Sequence, residues 1–501
     1  MKLRILSPTR AYIADHTELE MESLVKQMSY VDLTAKHELK RVSKNHWFKT
    51  QNPVKWQLTC DLLKEQINQC LIFTDKTGFK YIRPGSIPYL EGLSLEIEDF
   101  LVYPTPKRIP WVKPIPYTLY DYQTLSVTKL IEAKHGNVSI TTGGGKSNII
   151  LSICRETGFR CAIVAPSKAI FNELVEKFEY HLGKGNIGKF GAGKKKLGKR
   201  ITICIGDSLC NVAKGSEEWK FFSGLEMLVI DESHTWGSET LEEVCHGIFS
   251  EVPYRFFLSA TQTRGDGGVK LLQSIIGKTV HTLTTREAVE GGYIIPHDYR
   301  IVQIDGSDLS QLGTDPLMIK RELFLRNPKI ARFYAKLASA LASRGEQTLI
   351  LVEELGQIAM LTKLLTASFG YAHSESNKER LASLGLEKVD VAEQIDRFNK
   401  NEFKILIVTS CGHVGVNIYP MTNTLNWVGG ASEIKTRQAA IGRSIRLPQA
   451  NPYKSKCGNK SKCTIWDFDI TGNYVLERHL ESRIRCYADS GPNLIKYIRL
   501  K

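Results

Sequence analysis

Thr142-Gly143-Gly144-Gly145-Lys146-Ser147 follows the β-branched run Val138-Ser139-Ile140 and opens a helical stretch. Glycines in such a turn let backbone N–H groups close around phosphate oxygens. Lys146 brings charge to the β- and γ-phosphates of a nucleotide, and the Ser147 hydroxyl can ligate Mg²⁺. The general pattern begins on a glycine, where this chain has Ile140. Alone, the stretch is either a triphosphate cradle built from Thr142 to Ser147 or a glycine-rich turn with an incidental lysine.

Short β-branched runs recur downstream, separated by helical stretches. Cys161-Ala162-Ile163-Val164, Ile201-Thr202-Ile203-Cys204-Ile205, Met227-Leu228-Val229-Ile230 and Phe256-Phe257-Leu258 read as buried parallel strands. After a turn around Gly291-Gly292 and Pro296 the pattern restarts with Thr348-Leu349-Ile350-Leu351-Val352 and Ile405-Leu406-Ile407-Val408. Thr424-Leu425-Asn426-Trp427-Val428 and Thr464-Ile465-Trp466-Asp467-Phe468 complete the second set. Two consecutive parallel-sheet α/β domains follow from this alternation. Residues 103–116 carry five prolines and read as a linker behind a small α+β N-terminal unit. The expected division is therefore 1–112, 113–297 and 298–501.

A chain of 501 residues exceeds one hydrophobic core, which agrees with several domains. No apolar run approaches the length of a membrane span, and Met1-Lys2-Leu3-Arg4-Ile5-Leu6-Ser7-Pro8 lacks a secretory core, so a cytoplasmic place is expected. Eleven cysteines without a repeated short spacing read as reduced thiols. Cys457 and Cys463 are spaced too widely for a zinc knuckle, and no second pair lies nearby. The formal net charge of +14 suits a polyanionic partner.

Met227-Leu228-Val229-Ile230 runs into Asp231-Glu232-Ser233-His234. An apolar strand ending in two carboxylates is what metal-assisted hydrolysis needs. Asp231 would hold Mg²⁺ and Glu232 would polarise the attacking water. Ser259-Ala260-Thr261 follows another strand, where small hydroxyls could relay between His234 and a ligand face. Ile441-Gly442-Arg443-Ser444-Ile445-Arg446 sets two arginines three apart on one helix face. Their planar forks suit a transition-state phosphate, although a solvated basic helix looks the same.

Together these pieces resemble a superfamily 2 helicase core over residues 113–470. Leu119-Tyr120-Asp121-Tyr122-Gln123 resembles the adenine-reading Q motif, with Gln123 on the base. Ala165-Pro166-Ser167-Lys168 resembles motif Ia and Ile205-Gly206-Asp207-Ser208 motif Ic, so Ser167, Lys168, Gly206 and Asp207 would face nucleic acid. Asp231–His234 is similar to a DExH motif II, and Ser259 to Thr261 to motif III, with His234, Ser259 and Thr261 in coupling roles. Val408-Thr409-Ser410 through Gly415-Val416-Asn417 resembles motif V, placing Thr409 and Ser410 on nucleic acid. Gly442 to Arg446 resembles motif VI, with Arg443 and Arg446 as arginine fingers. Two positions depart from the family: Ala439 stands where motif VI has Gln, with Gln438 displaced by one, and Asn417 stands where motif V commonly has Asp.

The N-terminal unit, residues 286–293 and the Arg-rich helix at 477–487 are similar to the UvsW/XPB-like branch-migrating DNA helicases. The resemblance implies two tandem RecA-like domains, ATP and Mg²⁺ as cofactors, and branched or forked DNA as substrate. A duplex translocase or RNA helicase that separates no DNA strands, or a binding scaffold with a vestigial ATP site, remain alternatives. Residues 183–200 hold seven Lys or Arg and no acid, including Lys194, Lys195 and Lys196. They read as a flexible basic loop that either tracks phosphates or is merely solvated. In the N-terminal unit Lys36, Lys40, Arg41, Lys44, Lys49 and Lys55 interleave with Trp47, Phe48 and Trp56. That pattern suits a duplex contact or, equally, aromatics buried in a small core.

Overall fold

The computed structural model describes residues 1–110, 113, 118–233, 236, 238–259, 268–305, 315–409, 418–431, 436, 441, 442, 447, 453, 460–489 and 495–499. Runs of apolar residues without polar alternation must be covered on both faces, and the strands named above are. All five residues of Cys161–Ala165 are buried, as are all four of Met227–Ile230 and of Ile405–Val408. They build two sheets. The first has eight strands in the order Lys194–Lys196, Ile187–Gly191, Ile201–Ile205, Cys161–Ala165, Met227–Ile230, Tyr254–Ser259, His135–Ile140 and Thr279–Leu283. Its central strands run parallel, Ile201 lying beside Cys161 and Cys161 beside Met227.

The second sheet has seven strands: Phe369–Ala372, Ile405–Val408, Thr348–Val352, Asn423–Trp427, Cys463–Thr471, His297–Asp305 and Ile495–Arg499. Every pairing in it is parallel. These are two tandem RecA-like α/β lobes, as expected from the sequence. Among the described residues, no helix is long and apolar enough to cross a membrane.

A buried ion pair fixes the second lobe's last long helix, Tyr474–Asp489. Arg483 meets Asp467 with two bonds, Nε to Oδ2 at 2.7 Å and Nη2 to Oδ1 at 3.1 Å. Tyr487 donates to Asp467 Oδ2 at 2.7 Å, and Arg483 Nη1 donates to the Gly430 carbonyl at 2.9 Å. The helix is thereby locked to the central strand Cys463–Thr471 and to the turn at Gly430.

Ahead of the lobes stands a five-stranded mixed sheet, ordered Phe73–Thr74, Lys80–Ile82, Arg10–Asp15, Lys2–Ser7 and Glu96–Asp99. Leu3, Ala11, Leu24, Met28, Leu71 and Ile82 form its core. The aromatics of its helical portion do not fill that core. Trp47 is 71% exposed, while Phe48 and Trp56 are half-buried, and the Trp56 indole donates to the Val42 carbonyl at 2.9 Å.

The chain separates into two compact units. One comprises Met1–Ile140 and Gly145–Thr282, and the other Thr141–Gly144 and Leu283–Lys501. The N-terminal sheet thus packs with the first lobe. Its turn Pro84–Tyr89 lies against the helix Val269–Ile276. Buried Arg83 pairs with Glu242 and donates to Ser274 Oγ at 3.2 Å, and the Tyr89 hydroxyl donates to the Gly277 carbonyl at 3.0 Å. Gly85 makes the closest approach, since a Cβ there would lie 2.3 Å from the Ser274 carbonyl oxygen. Backbone cannot yield as a side-chain tip can, so Gly85→Ala is expected to cost about 1–3 kcal/mol of stability. Denaturant unfolding indistinguishable from the parent would show that the two surfaces are not in tight register.

The proline-rich segment is not a free tether. Lys107 N–H donates to the Thr157 carbonyl at 2.8 Å and Ile109 N–H to the Arg155 carbonyl at 3.0 Å. Residues 183–200 also differ from the expected loop. Ile187–Gly191 and Lys194–Lys196 pair antiparallel and extend the first sheet, with a turn through Ala192 and Gly193. Glycine and lysine content hid these strands from a pattern built on β-branched residues.

Candidate active site and its relatives

The phosphate loop closes the carboxyl end of the strand His135–Ile140 and opens the helix Lys146–Thr157. Gly143 and Gly145 both adopt positive φ, at 82° and 74°. At Gly145 side-chain space is also missing, because a Cβ would lie 2.5 Å from the Gln123 amide nitrogen. Gln123 is buried, and its Oε1 accepts the Tyr120 N–H at 3.1 Å. The structure therefore seats Gln123 against the phosphate loop.

Lys146 is only 9% exposed, and its Nζ lies 2.9 Å from Glu232 Oε1. Glu232 holds a left-handed backbone, φ 48°, that a non-glycine residue adopts at a cost of order 1–3 kcal/mol. Its N–H donates to Asp231 Oδ1 at 2.9 Å. Burial, and then the neighbouring Glu232 charge, push the Asp231 carboxyl up to about 7. The two adjacent acids thus sit in different settings, Glu232 ion-paired with Lys146 and Asp231 buried with its carboxyl raised.

Two contributors escaped the sequence. Lys177, from the helix Lys168–Leu182, donates to Ser147 Oγ at 2.9 Å and to Asn148 Oδ1. Burial lowers its pKa to about 8. Trp236 is buried, donates to the Asp231 carbonyl at 3.3 Å and lays its ring against Gly206. Neither belongs to a periodic or motif pattern; each arrives through packing of a later element.

The other expected residues occupy varied settings. Ser167 caps its helix, accepting the Ile170 N–H at 3.4 Å, and Lys168 and Asp207 are exposed. Gly206 and Ser259 are buried, as is Thr409, whose N–H donates to the Ala372 carbonyl at 3.2 Å. Lys194, Lys195 and Lys196 are all exposed. His234, Ala260, Thr261, Ser410, Asn417, Gln438, Ala439, Arg443 and Arg446 lie outside the described residues.

Residues 120–266, spanning the loop, the acidic pair and the strand beyond, match the family model of DEAD/DEAH box helicases. The first lobe carries a DEAD/DEAH box helicase domain. The DNA 3'-5' translocase XPB2 of Sulfurisphaera tokodaii is 23% identical over 396 residues, 74% of this chain and 87% of its own. Among solved structures, an HsdR-subunit fragment of a type I restriction enzyme from Vibrio vulnificus shares the fold. It covers 77% of this chain and 70% of its own, at 16% identity and a TM-score of 0.54. Phage T4 UvsW aligns over 100% of this chain and 99% of its own, at 16% identity and a TM-score of 0.42. The chain resembles the superfamily 2 DExH helicases. With the helicase domain it is an ATP-dependent enzyme of the helicase class.

Proposed function

We propose that this chain is a Mg²⁺- and ATP-dependent DNA translocase that remodels branched DNA, driving branch migration or fork regression. The observation that carries the catalytic half is the Lys146–Glu232 pair at 2.9 Å beside buried Asp231. Likeness to a DNA translocase supports the choice of DNA. In this reading three parts, 1–112, 113–297 and 298–501, serve as accessory, ATP-binding and partner domains.

Lys146 leaves Glu232 for the β- and γ-phosphates when nucleotide enters, and Glu232 is released to orient and deprotonate a water. Ser147 and Asp231 supply a hydroxyl and a carboxylate oxygen, hard donors that fit Mg²⁺. When bound, that ion would neutralise charge developing on the phosphates. Arg443 and Arg446 would complete the neutralisation as arginine fingers.

Comparing ATP-driven processing of a Holliday junction, a fork, a blunt duplex and an RNA duplex tests the substrate. Preference for the junction or fork is expected. Processing of RNA alone, or ATP turnover with no strand exchange on any DNA, would overturn the branched-DNA reading.

Asp231 adds a pH dependence. A proton and a cation compete for its carboxylate, so Mg²⁺ affinity should rise about tenfold per pH unit below roughly 7 and level off above it. Fluorescent-nucleotide binding titrated with Mg²⁺ across pH reads this directly. The slope should vanish in Asp231→Asn; an identical slope in that variant would remove Asp231 from the metal site.

A further inference from the structure

The first lobe carries positive charge that the nucleotide site does not use. Arg160, Arg200 and Glu226 each stand one residue before a central strand, Cys161–Ala165, Ile201–Ile205 and Met227–Ile230. Because Cys161 is in register with both Ile201 and Met227, the three form a row at the amino ends of the sheet. Lys107 and Lys199 complete the rim of a cleft of about 410 Å³. Glu226, the one acid among the described residues that line it, is already engaged, its Oε2 accepting the Arg160 N–H at 2.7 Å. Arg160 and Arg200 are braced on the Gly224 and Gly158 carbonyls. Among the described residues, none of the four cations is held in an ion pair.

The charge continues along the sheet's outermost strand. Lys194 lies opposite Gly191 and Lys196 opposite Lys189, so Lys194–Lys196 descends from the carboxyl ends of the sheet toward the amino ends. The chain then passes through Leu197 and Gly198 into Lys199 and Arg200. Seven cations, Lys194, Lys195, Lys196, Lys199, Arg200, Arg160 and Lys107, thus follow one another as a band along the sheet's outer edge and amino ends, with Lys195 on the opposite face of its strand from Lys194 and Lys196. Phosphate loop, Asp231 and Ser167 all lie at the carboxyl ends. The cleft is a full strand away, roughly 16 Å at ~3.3 Å per residue.

We infer that this band is a second nucleic-acid contact, one that grips the phosphate backbone of a duplex away from the phosphate loop. The inference rests on the helicase reading and adds to it where a DNA arm is held. A band of lysines and arginines neutralises phosphates and reads no sequence. Single strands call for exposed rings on which bases stack; Phe159, which lines the cleft, and Phe190, opposite Lys195, are both buried. A duplex backbone needs none.

The test uses the full chain and a short blunt DNA duplex, with binding followed by anisotropy between about 50 and 200 mM salt. Lys107→Glu combined with Lys199→Glu should weaken binding at least tenfold. Removal of two phosphate contacts should also flatten the slope of log affinity against log salt by about 1.8. Lys107→Arg with Lys199→Arg should keep the parental slope, which a purely structural defect would not restore. In the parent, bound duplex should protect Lys107, Lys199 and Lys194 to Lys196 from acetylation. Equal acetylation with and without duplex, or an unchanged salt slope in the Glu variant, overturns the band while leaving the helicase reading intact. Displacement of the duplex by sub-millimolar inorganic triphosphate with loss of that protection would make the cleft a small-anion site instead. A parent chain that binds no nucleic acid at all would overturn the helicase reading itself.

Discussion

Glu232→Gln is expected to leave ATP bound and to slow its hydrolysis by about 10²–10⁴-fold. The amide keeps the shape of the side chain but cannot take a proton from water. It also removes the charge that holds Lys146 at 2.9 Å before nucleotide arrives. Lys146 is then unopposed, so ATP should bind at least as tightly as in the parent. Lys146→Ala must behave differently: the phosphates lose their buried cation, and binding and turnover fall together. Equilibrium nucleotide binding beside steady-state turnover separates the two. Parental turnover in Glu232→Gln would exclude Glu232 from the chemistry, and parental ATP affinity in Lys146→Ala would exclude Lys146 from the phosphate cradle.

Arg483→Met should destabilise the second lobe by about 3–5 kcal/mol, because it strands the Asp467 carboxylate in a fully buried position. The aliphatic stem of methionine fills much of the arginine's volume, so the loss comes from the unpaired charge rather than from a cavity. Asp467→Asn added to Arg483→Met removes that charge, and the double variant should lose less than the sum of the single losses. Hydrogen exchange over residues 463–489 localises the effect. Parental exchange in Arg483→Met would mean that the pair contributes nothing net. The same substitution frees the Gly430 carbonyl, upstream of the segment that holds Arg443 and Arg446.

Much of this architecture could be read from the chain because parallel strands covered on both faces leave an unmistakable run, as at Met227–Ile230. The acidic pair was legible for the same reason, since it ends such a run. The strained backbone at Glu232 was not, because φ is set by the turn as a whole and not by residue type. Lys177 reaches Ser147 from a separate helix, and such pairings exist only after packing. Gln123 was expected on a base; its seat against Gly145 depends on how closely a helix approaches a loop. At residues 183–200 flexibility was inferred from glycines that instead allow close strand pairing, with Gly188 against Gly198.

The seam at Arg83, Gly85 and Tyr89 has a mechanical consequence. An accessory unit joined only by a proline-rich strand would be a flail, free to search for DNA but unable to transmit force. Here the joint is a weld: backbone meets backbone at Gly85, and a buried arginine bolts the turn to Glu242. Any load taken up by the N-terminal sheet is borne by the helix Val269–Ile276 and by the sheet beneath it. Torque applied to the N-terminal sheet is therefore felt by the lobe that carries Lys146 and Glu232.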